Sequence, residues 1–345
     1  MSFAGNLKHI LSKLDFSDKD RVEYTKDAVE IQNFVVQQLQ ENDETFRRVF
    51  AGFSLGGSYL DRVKLVTPDE FDLHMKLKFP YEITPKRDEK GFVFLYAPNG
   101  YAPGVATDNY IHRDFLQNWL RGAFERVFSS SVRVRATYGV YTLKYTLAGY
   151  ACAHTIEAVS GNREISFDLV PAFEFDSSLF PFYIPPFIKN GSSQYPWFAV
   201  PQKKSGSNDE RTFIVCAPHW EREMMKNSYN FKNVLRLMKG LKDKAGRDSL
   251  PHLTSYMLKT VMLHKHNSVN WHQDEGTLLV EMWRSLVEHL RSGRLDFILA
   301  ENHNIFDRMT YNERSTCFAN AKEILNKLCN SYYRNNLQAL SQLFP

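Results

Sequence analysis

The sequence predicts an α+β chain in two lobes: a mixed β-sheet core preceded by a long N-terminal helix and followed by a helical lobe. Three observations carry this. Apolar residues recur at helical spacing after Ser17, polar and apolar residues alternate with period 2 in segments between residues 51 and 180, and helical spacing returns beyond residue 229. Ser17-Asp18-Lys19-Asp20 supplies a hydroxyl for the helix start and acids for its first turn, after which Val22, Ala28, Val29, Ile31, Val35, Val36 and Leu39 recur to about residue 40. Turn residues at Pro80, Pro98-Asn99-Gly100 and Ser160-Gly161-Asn162 punctuate the strand-rich part. The last of these predicts a hairpin joining His154–Val159 to Glu164–Val170. Tyr110–Phe128, with Phe115, Trp119, Phe124 and Val127, reads as a helix that interrupts the strands. Proline, glycine and serine accumulate from Phe180 to Ser207, as in a crossover or linker. Tyr229–Lys244, Leu253–His264, Gly276–Leu290 and Arg308–Tyr333 then read as helices. The expected division is 1–48, 49–200 and 201–345.

Composition narrows the function classes. The 345 residues suffice for a large core, and with 26 Phe, 17 Tyr and mixed charge they do not read as a disordered chain. A net charge of +4 permits a nucleic-acid or nucleotide partner without demanding one. No long apolar stretch predicts a membrane span or signal peptide. Cys152, Cys216, Cys317 and Cys329 have no Cys-x-x-Cys spacing and read as reduced thiols of a cytosolic protein.

Chemistry concentrates in three acids. In Glu70-Phe71-Asp72-Leu73-His74-Met75-Lys76-Leu77-Lys78-Phe79 the alternation sends Phe71, Leu73, Met75, Leu77 and Phe79 inward and leaves Glu70 and Asp72 on the opposite face. Their Cα atoms then stand about 7 Å apart by the strand rise, and converging carboxylates suit a pair of divalent ions about 3.5–4 Å apart. Upstream, Gly56-Gly57-Ser58-Tyr59 is a small-residue turn whose backbone N–H groups suit a phosphate tail. A third acid, Asp168, sits in the alternating Ile165-Ser166-Phe167-Asp168-Leu169-Val170. Turn, acidic pair and later lone acid together predict metal-dependent nucleotidyl transfer.

With these motifs on the page, the chain resembles the cyclic GMP-AMP synthase-like receptors, an innate-immune branch of the nucleotidyltransferases, from about residue 17 to the C-terminus. Beyond the acids, the resemblance lies in Pro218-His219-Trp220-Glu221-Arg222-Glu223, Leu235-Arg236-Leu237-Met238-Lys239, Leu253-Thr254-Ser255-Tyr256-Met257-Leu258-Lys259-Thr260 and Leu295-Asp296-Phe297-Ile298. It implies a two-lobed nucleotidyltransferase fold in which Glu70, Asp72 and Asp168 hold two Mg2+ or Mn2+ ions and Asp168 also activates the attacking ribose hydroxyl. ATP would be met by Ser58, Glu70, Asp72, Glu221, Lys239 and Ser255, with Tyr256 stacking on a base. GTP would be met by Asp168, with Arg211 replacing an arginine that the family often places where Ile214 stands.

The stretch Met224–Asn230 continues without a cysteine, so the resemblance implies a zinc-free member, more similar to receptors of double-stranded RNA than of DNA. Arg222, Lys226, Lys232 and Arg236 would contact duplex RNA, whose A-form backbone is read largely by shape and charge. The implied product is a cyclic dinucleotide of the cyclic GMP-AMP type, acting through a STING-type receptor in antiviral immunity. Two alternatives stay open: a template-independent enzyme making linear oligonucleotides, and a catalytically silent binding protein of the same fold.

Overall fold

The computed structural model describes residues 3–15, 17–57, 61, 63, 65, 69–100, 104–147, 152–184, 188, 194–226, 228–334 and 336–345. In chain order its elements begin with α1 (Phe3–Leu14), α2 (Asp18–Asn42), α3 (Glu44–Val49), β1 (Phe50–Leu55) and β2 (Glu70–Leu77). There follow β3 (Thr84–Arg87), β4 (Val93–Tyr96), β5 (Ala106–Thr107), β6 (Tyr110–Ile111), α4 (Arg113–Val127), β7 (Val132–Ala136), β8 (Gly139–Leu147), β9 (His154–Ser160) and β10 (Arg163–Phe175). The chain ends with β11 (Trp197–Pro201), β12 (Phe213–Cys216), α5 (Pro218–Lys226), α6 (Phe231–Ser249), α7 (Ser255–His264), α8 (Glu275–Ser292), α9 (Tyr311–Tyr333) and α10 (Leu337–Ser341). Two compact units result: Ser17–Asp61 with Pro68–Trp220, and Met1–Phe16 with Arg62–Thr67 and Glu221–Pro345.

In the sheet unit, β10 is long enough to serve two groups of strands. Its N-terminal part pairs in parallel with β2 and antiparallel with β9, and its C-terminal part continues into β11 and β12. Alternation sets the faces as expected: Phe71, Leu73, Met75 and Leu77 of β2 and Ile165, Phe167 and Leu169 of β10 are buried. The expected hairpin is β9–β10, turning at Gly161. The expected N-terminal helix is α2, whose Ser17 hydroxyl accepts from the Asp20 N–H.

Three sequence readings need correction. The helix α4 buries Phe124 and Val127 as expected, but in its first half Leu116 and Leu120 face the core in place of Phe115 and Trp119, and Phe115 is exposed. Tyr110 belongs to strand β6, not to that helix. The presumed linker Phe180–Ser207 contains β11, buried at every residue, because Trp197-Phe198-Ala199-Val200 completes the sheet. Four apolar residues among prolines and serines are too few to show a period.

The expected 1–48, 49–200 and 201–345 division and the compact units run differently. The helix α1 packs on α6, α8 and α10 through Leu7, Ile10, Leu11 and Leu14, so it belongs with the helical unit while α2 belongs with the sheet. The β11–β12 hairpin lies beyond residue 200 for half its length yet stays in the sheet unit. Among the described residues no helix is long and apolar enough to cross a membrane.

Candidate active site

The parallel register of β2 and β10 builds the site. Asp168 stands directly opposite Asp72, and Ser166 opposite Glu70. Each acid alternates with buried apolar neighbours, so both strands turn their carboxylates to one face. One oxygen from each of Glu70, Asp72 and Asp168 lies within 4.8 Å of the others. Three carboxylates gathered this closely repel one another unless a cation lies among them, and an all-oxygen donor set suits a hard divalent ion.

Two neighbours hold the cluster. The Thr155 hydroxyl, one strand over on β9, donates to Asp168 Oδ1 at 2.6 Å. Gly57 lies against Asp72 so closely that a Cβ there would fall 1.6 Å from Asp72 Oδ2, and its φ of +61° favours glycine independently. The Gly56 N–H donates to the Asp72 carbonyl at 2.9 Å, tying the turn to the strand. Ser58, the expected phosphate contact, lies outside the described residues. Thr155 went unseen in the sequence because nothing local marks a threonine on the neighbouring strand.

The same face continues into an apolar floor. His74, two residues after Asp72, is buried against the Phe198 ring at 4.9 Å with its Nε2 3.5 Å from Cys216 Sγ. Burial, and then repulsion from His219, pushes its pKa down to about 4, so the ring is neutral near pH 7. Ile214 and Cys216 of β12 pack with Val170, Ala172, Phe198 and Val200 beside it. Val170 and Ala172 alternate with Asp168 along β10, so Ile214 shares the acids' face. Arg211 does not replace it: Asp209 holds the guanidinium through two bonds of 2.9 and 2.8 Å, over the rings of Phe94 and Tyr110. That carboxylate pairing fixes Arg211 at the β4–β6 edge and pulls the Asp209 pKa down to about 2.

The remaining expected contacts belong to the helical unit. Glu221 is buried and accepts from the Tyr256 hydroxyl and the Lys259 ammonium, both at 2.6 Å, so its carboxylate braces α5 to α7. In this structure both carboxylate oxygens of Glu221, expected to meet ATP, are engaged by internal partners. Lys239, the other expected phosphate contact, is buried and donates to the Val63 carbonyl at 2.8 Å. Ser255 opens α7 half-exposed, where Thr254 caps the helix and first-turn N–H groups suit an anion. Tyr256 keeps an exposed ring while its hydroxyl is tied to Glu221.

Of the four expected RNA contacts, Arg222 and Lys226 are exposed and Lys232 is half-buried. Lys226 reaches Glu223 at 3.5 Å. Arg236 is largely covered: its side chain is 11% exposed and pairs with Asp15 at 3.1 Å. Sharing a helix face with Lys232 did not reveal that α1 covers that part of α6.

Comparison with known proteins agrees with this geometry. Residues 59–227 match the Mab-21 protein nucleotidyltransferase domain, and residues 230–323 match the Mab-21 protein HhH/H2TH-like domain. A cyclic GMP-AMP synthase-like protein of Drosophila melanogaster is 58% identical over 95% of this chain and 94% of its own length. A cyclic GMP-AMP synthase-like receptor of Drosophila eugracilis is 32% identical over 97% and 91%, and one of Lucilia cuprina 26% identical over 95% and 94%. Similarity along nearly the whole chain, with three carboxylates converging on paired strands, shows that this protein belongs to the cyclic GMP-AMP synthase-like family of nucleotidyltransferases.

Proposed function

We propose that this chain joins ATP and GTP into a cyclic dinucleotide of the cyclic GMP-AMP type, that double-stranded RNA activates it in the cytosol, and that a STING-type receptor reads the product. The reading rests chiefly on the convergence of Glu70, Asp72 and Asp168 within 4.8 Å, supported by the names of the relatives. Two Mg2+ or Mn2+ ions held there would offset charge on the triphosphate and on the departing pyrophosphate. Asp168 accepts the proton of the attacking ribose hydroxyl, and the Thr155 hydroxyl, donating to its Oδ1, holds the carboxylate in place. The apolar floor of Val170, Phe198 and Ile214 excludes water beside the acids and presents a flat surface to a base. On the helical unit, Arg222, Lys226 and Lys232 supply charge for duplex phosphates.

The test is incubation of the purified protein with ATP, GTP, Mn2+ and duplex RNA, followed by mass spectrometry. A cyclic product that requires RNA and fades as salt rises is expected. Glu70→Ala with Asp72→Ala should abolish it while leaving the fold intact. A purely linear product, or turnover indifferent to RNA and salt, would overturn the proposal.

A further inference from the structure

The face that bears the acids does not end at β9. Asp72, Asp168, Thr155 and Thr146 are successive cross-strand partners on β2, β10, β9 and β8, forming one row. In the next row Glu70, Ser166, Glu157 and Lys144 follow one another in the same way. Beyond these, Arg133 on β7 faces Thr142 on β8, and Arg135 faces Val140. Alternation places Arg133, Arg135, Val140, Thr142, Lys144 and Val159 on this open side, all exposed, while Val134, Ala136, Tyr141 and Leu143 fill the other side.

The charges are arranged unevenly. Neither β7 (Val132–Ala136) nor β8 (Gly139–Leu147) contains an acid. Arg133 and Arg135 stand about 7 Å apart on one strand face, and Lys144 is diagonal to Arg133 at about 7–8 Å. Several other cations of this unit are paired: Lys76 with Glu174, Arg126 with Asp43, Arg163 with Glu23, Lys204 with Asp88 and Arg211 with Asp209. Among the described residues, Arg133, Arg135 and Lys144 have no ion-pair partner. Acids on this face beyond the catalytic cluster are Glu157, Glu164 and Glu174, all on the inner strands β9 and β10, and Glu174 is paired with Lys76. Cationic charge therefore rises away from the reaction centre, toward the β7 edge. Exposed Val140 and Val159 add apolar contact beneath a base or ribose.

We infer that this surface seats the body of a single-stranded oligonucleotide whose terminal ribose hydroxyl reaches Asp168, making the chain able to extend such a strand. Phosphates near Lys144, Arg133 and Arg135 draw the strand over β8 and β7, and three strand spacings, about 14 Å, separate β7 from β10. A terminal hydroxyl oxygen then bonds to the α-phosphorus of a nucleoside triphosphate. The bond from that phosphorus to pyrophosphate breaks, pyrophosphate departs, and the hydroxyl proton passes through Asp168 to water. This goes beyond cyclic-dinucleotide synthesis and needs neither GTP nor a duplex.

The experiment uses the purified protein with a short 5′-labelled single-stranded oligoadenylate, ATP and Mn2+. Binding is read by fluorescence anisotropy and lengthening by gel electrophoresis. Wild-type protein should bind and lengthen the strand. Arg133→Glu with Arg135→Glu should weaken binding roughly tenfold or more and flatten its salt dependence. Lys144→Glu, on the neighbouring strand, should act in the same direction. Asp168→Asn should retain binding and lose lengthening. Unchanged binding by the charge-reversed variants, or a strand that wild-type protein binds without lengthening, would overturn the inference.

Discussion

Gly57 carries more of the site than its size suggests. Any Cβ at that position meets the Asp72 carboxylate, and the positive φ adds roughly 1–2 kcal/mol of backbone strain for other residues. Gly57→Ala is therefore expected to displace Asp72 and lower turnover by about a hundredfold or more, the scale at which a misplacement of about 1 Å is felt. Steady-state kinetics beside a circular-dichroism spectrum checks this. Near-wild-type turnover would show that the turn relaxes without disturbing the acid. At the same scale, a motif match located Glu221 and Lys239 without revealing their partners. A buried ion pair to Lys259 and a bond to the Val63 carbonyl are contacts across 38 and 176 residues, so no local pattern encodes them.

Among the elements, α2 is joined to the sheet by a charged clamp. Asp27, which reads in sequence as one more acid on a solvated helix face, is fully buried. It accepts from the Tyr141 hydroxyl at 2.6 Å and the Tyr138 N–H at 2.9 Å. Arg163, the first residue of β10, donates to Glu23 at 3.1 Å and stacks over Tyr24. Asp27→Ala removes the acceptor and leaves buried donors unmet, so urea unfolding should show a loss of about 3–5 kcal/mol. A loss below about 1 kcal/mol would mean that water enters the gap.

A second device of this kind links α4 to β8 and β9. His154 Nε2–H donates to Gln117 Oε1 at 2.7 Å, which leaves Nδ1 to accept from the Tyr145 hydroxyl at 2.8 Å. Gln117 in turn donates to the Cys152 carbonyl at 3.1 Å. The imidazole is thus held neutral, stacked on the Phe124 ring with the Tyr145 ring beside it, and burial lowers its pKa to about 3. Because the unfolded chain binds this proton near the ordinary value of 6.5, stability is complete above that pH. It is lost as pH falls from 6.5 toward about 3, at up to about 1.4 kcal/mol per pH unit. His154→Phe should flatten the acid limb of a melting-temperature profile relative to wild type. Parallel profiles would remove His154 as its cause.

At the scale of the whole molecule, the acids' mutual repulsion links metal binding to stability. Mn2+ at a hundred times its Kd is expected to stabilise the native protein by about 2.7 kcal/mol. Glu70→Ala with Asp72→Ala should cancel that shift without lowering metal-free stability, since like charges are removed. Differential scanning fluorimetry with and without Mn2+ reads both. An equal shift in the double variant would place the ion elsewhere.

Sequence alone determined which strand faces are apolar, where the acids stand on them, the start of α2 and the helical character of the C-terminal half. These follow from periodicity and capping, which are local. Only the tertiary structure decided that Asp168 meets Asp72 in register, that Thr155 and Gly57 hold those acids, and that α1 and α2 belong to different units. It also decided that Asp27 and Glu221 are buried rather than solvated and that Arg236 is tied to Asp15. Such facts depend on pairing and packing between residues far apart in the chain, where a charged side chain has the same local pattern whether water or a partner answers it.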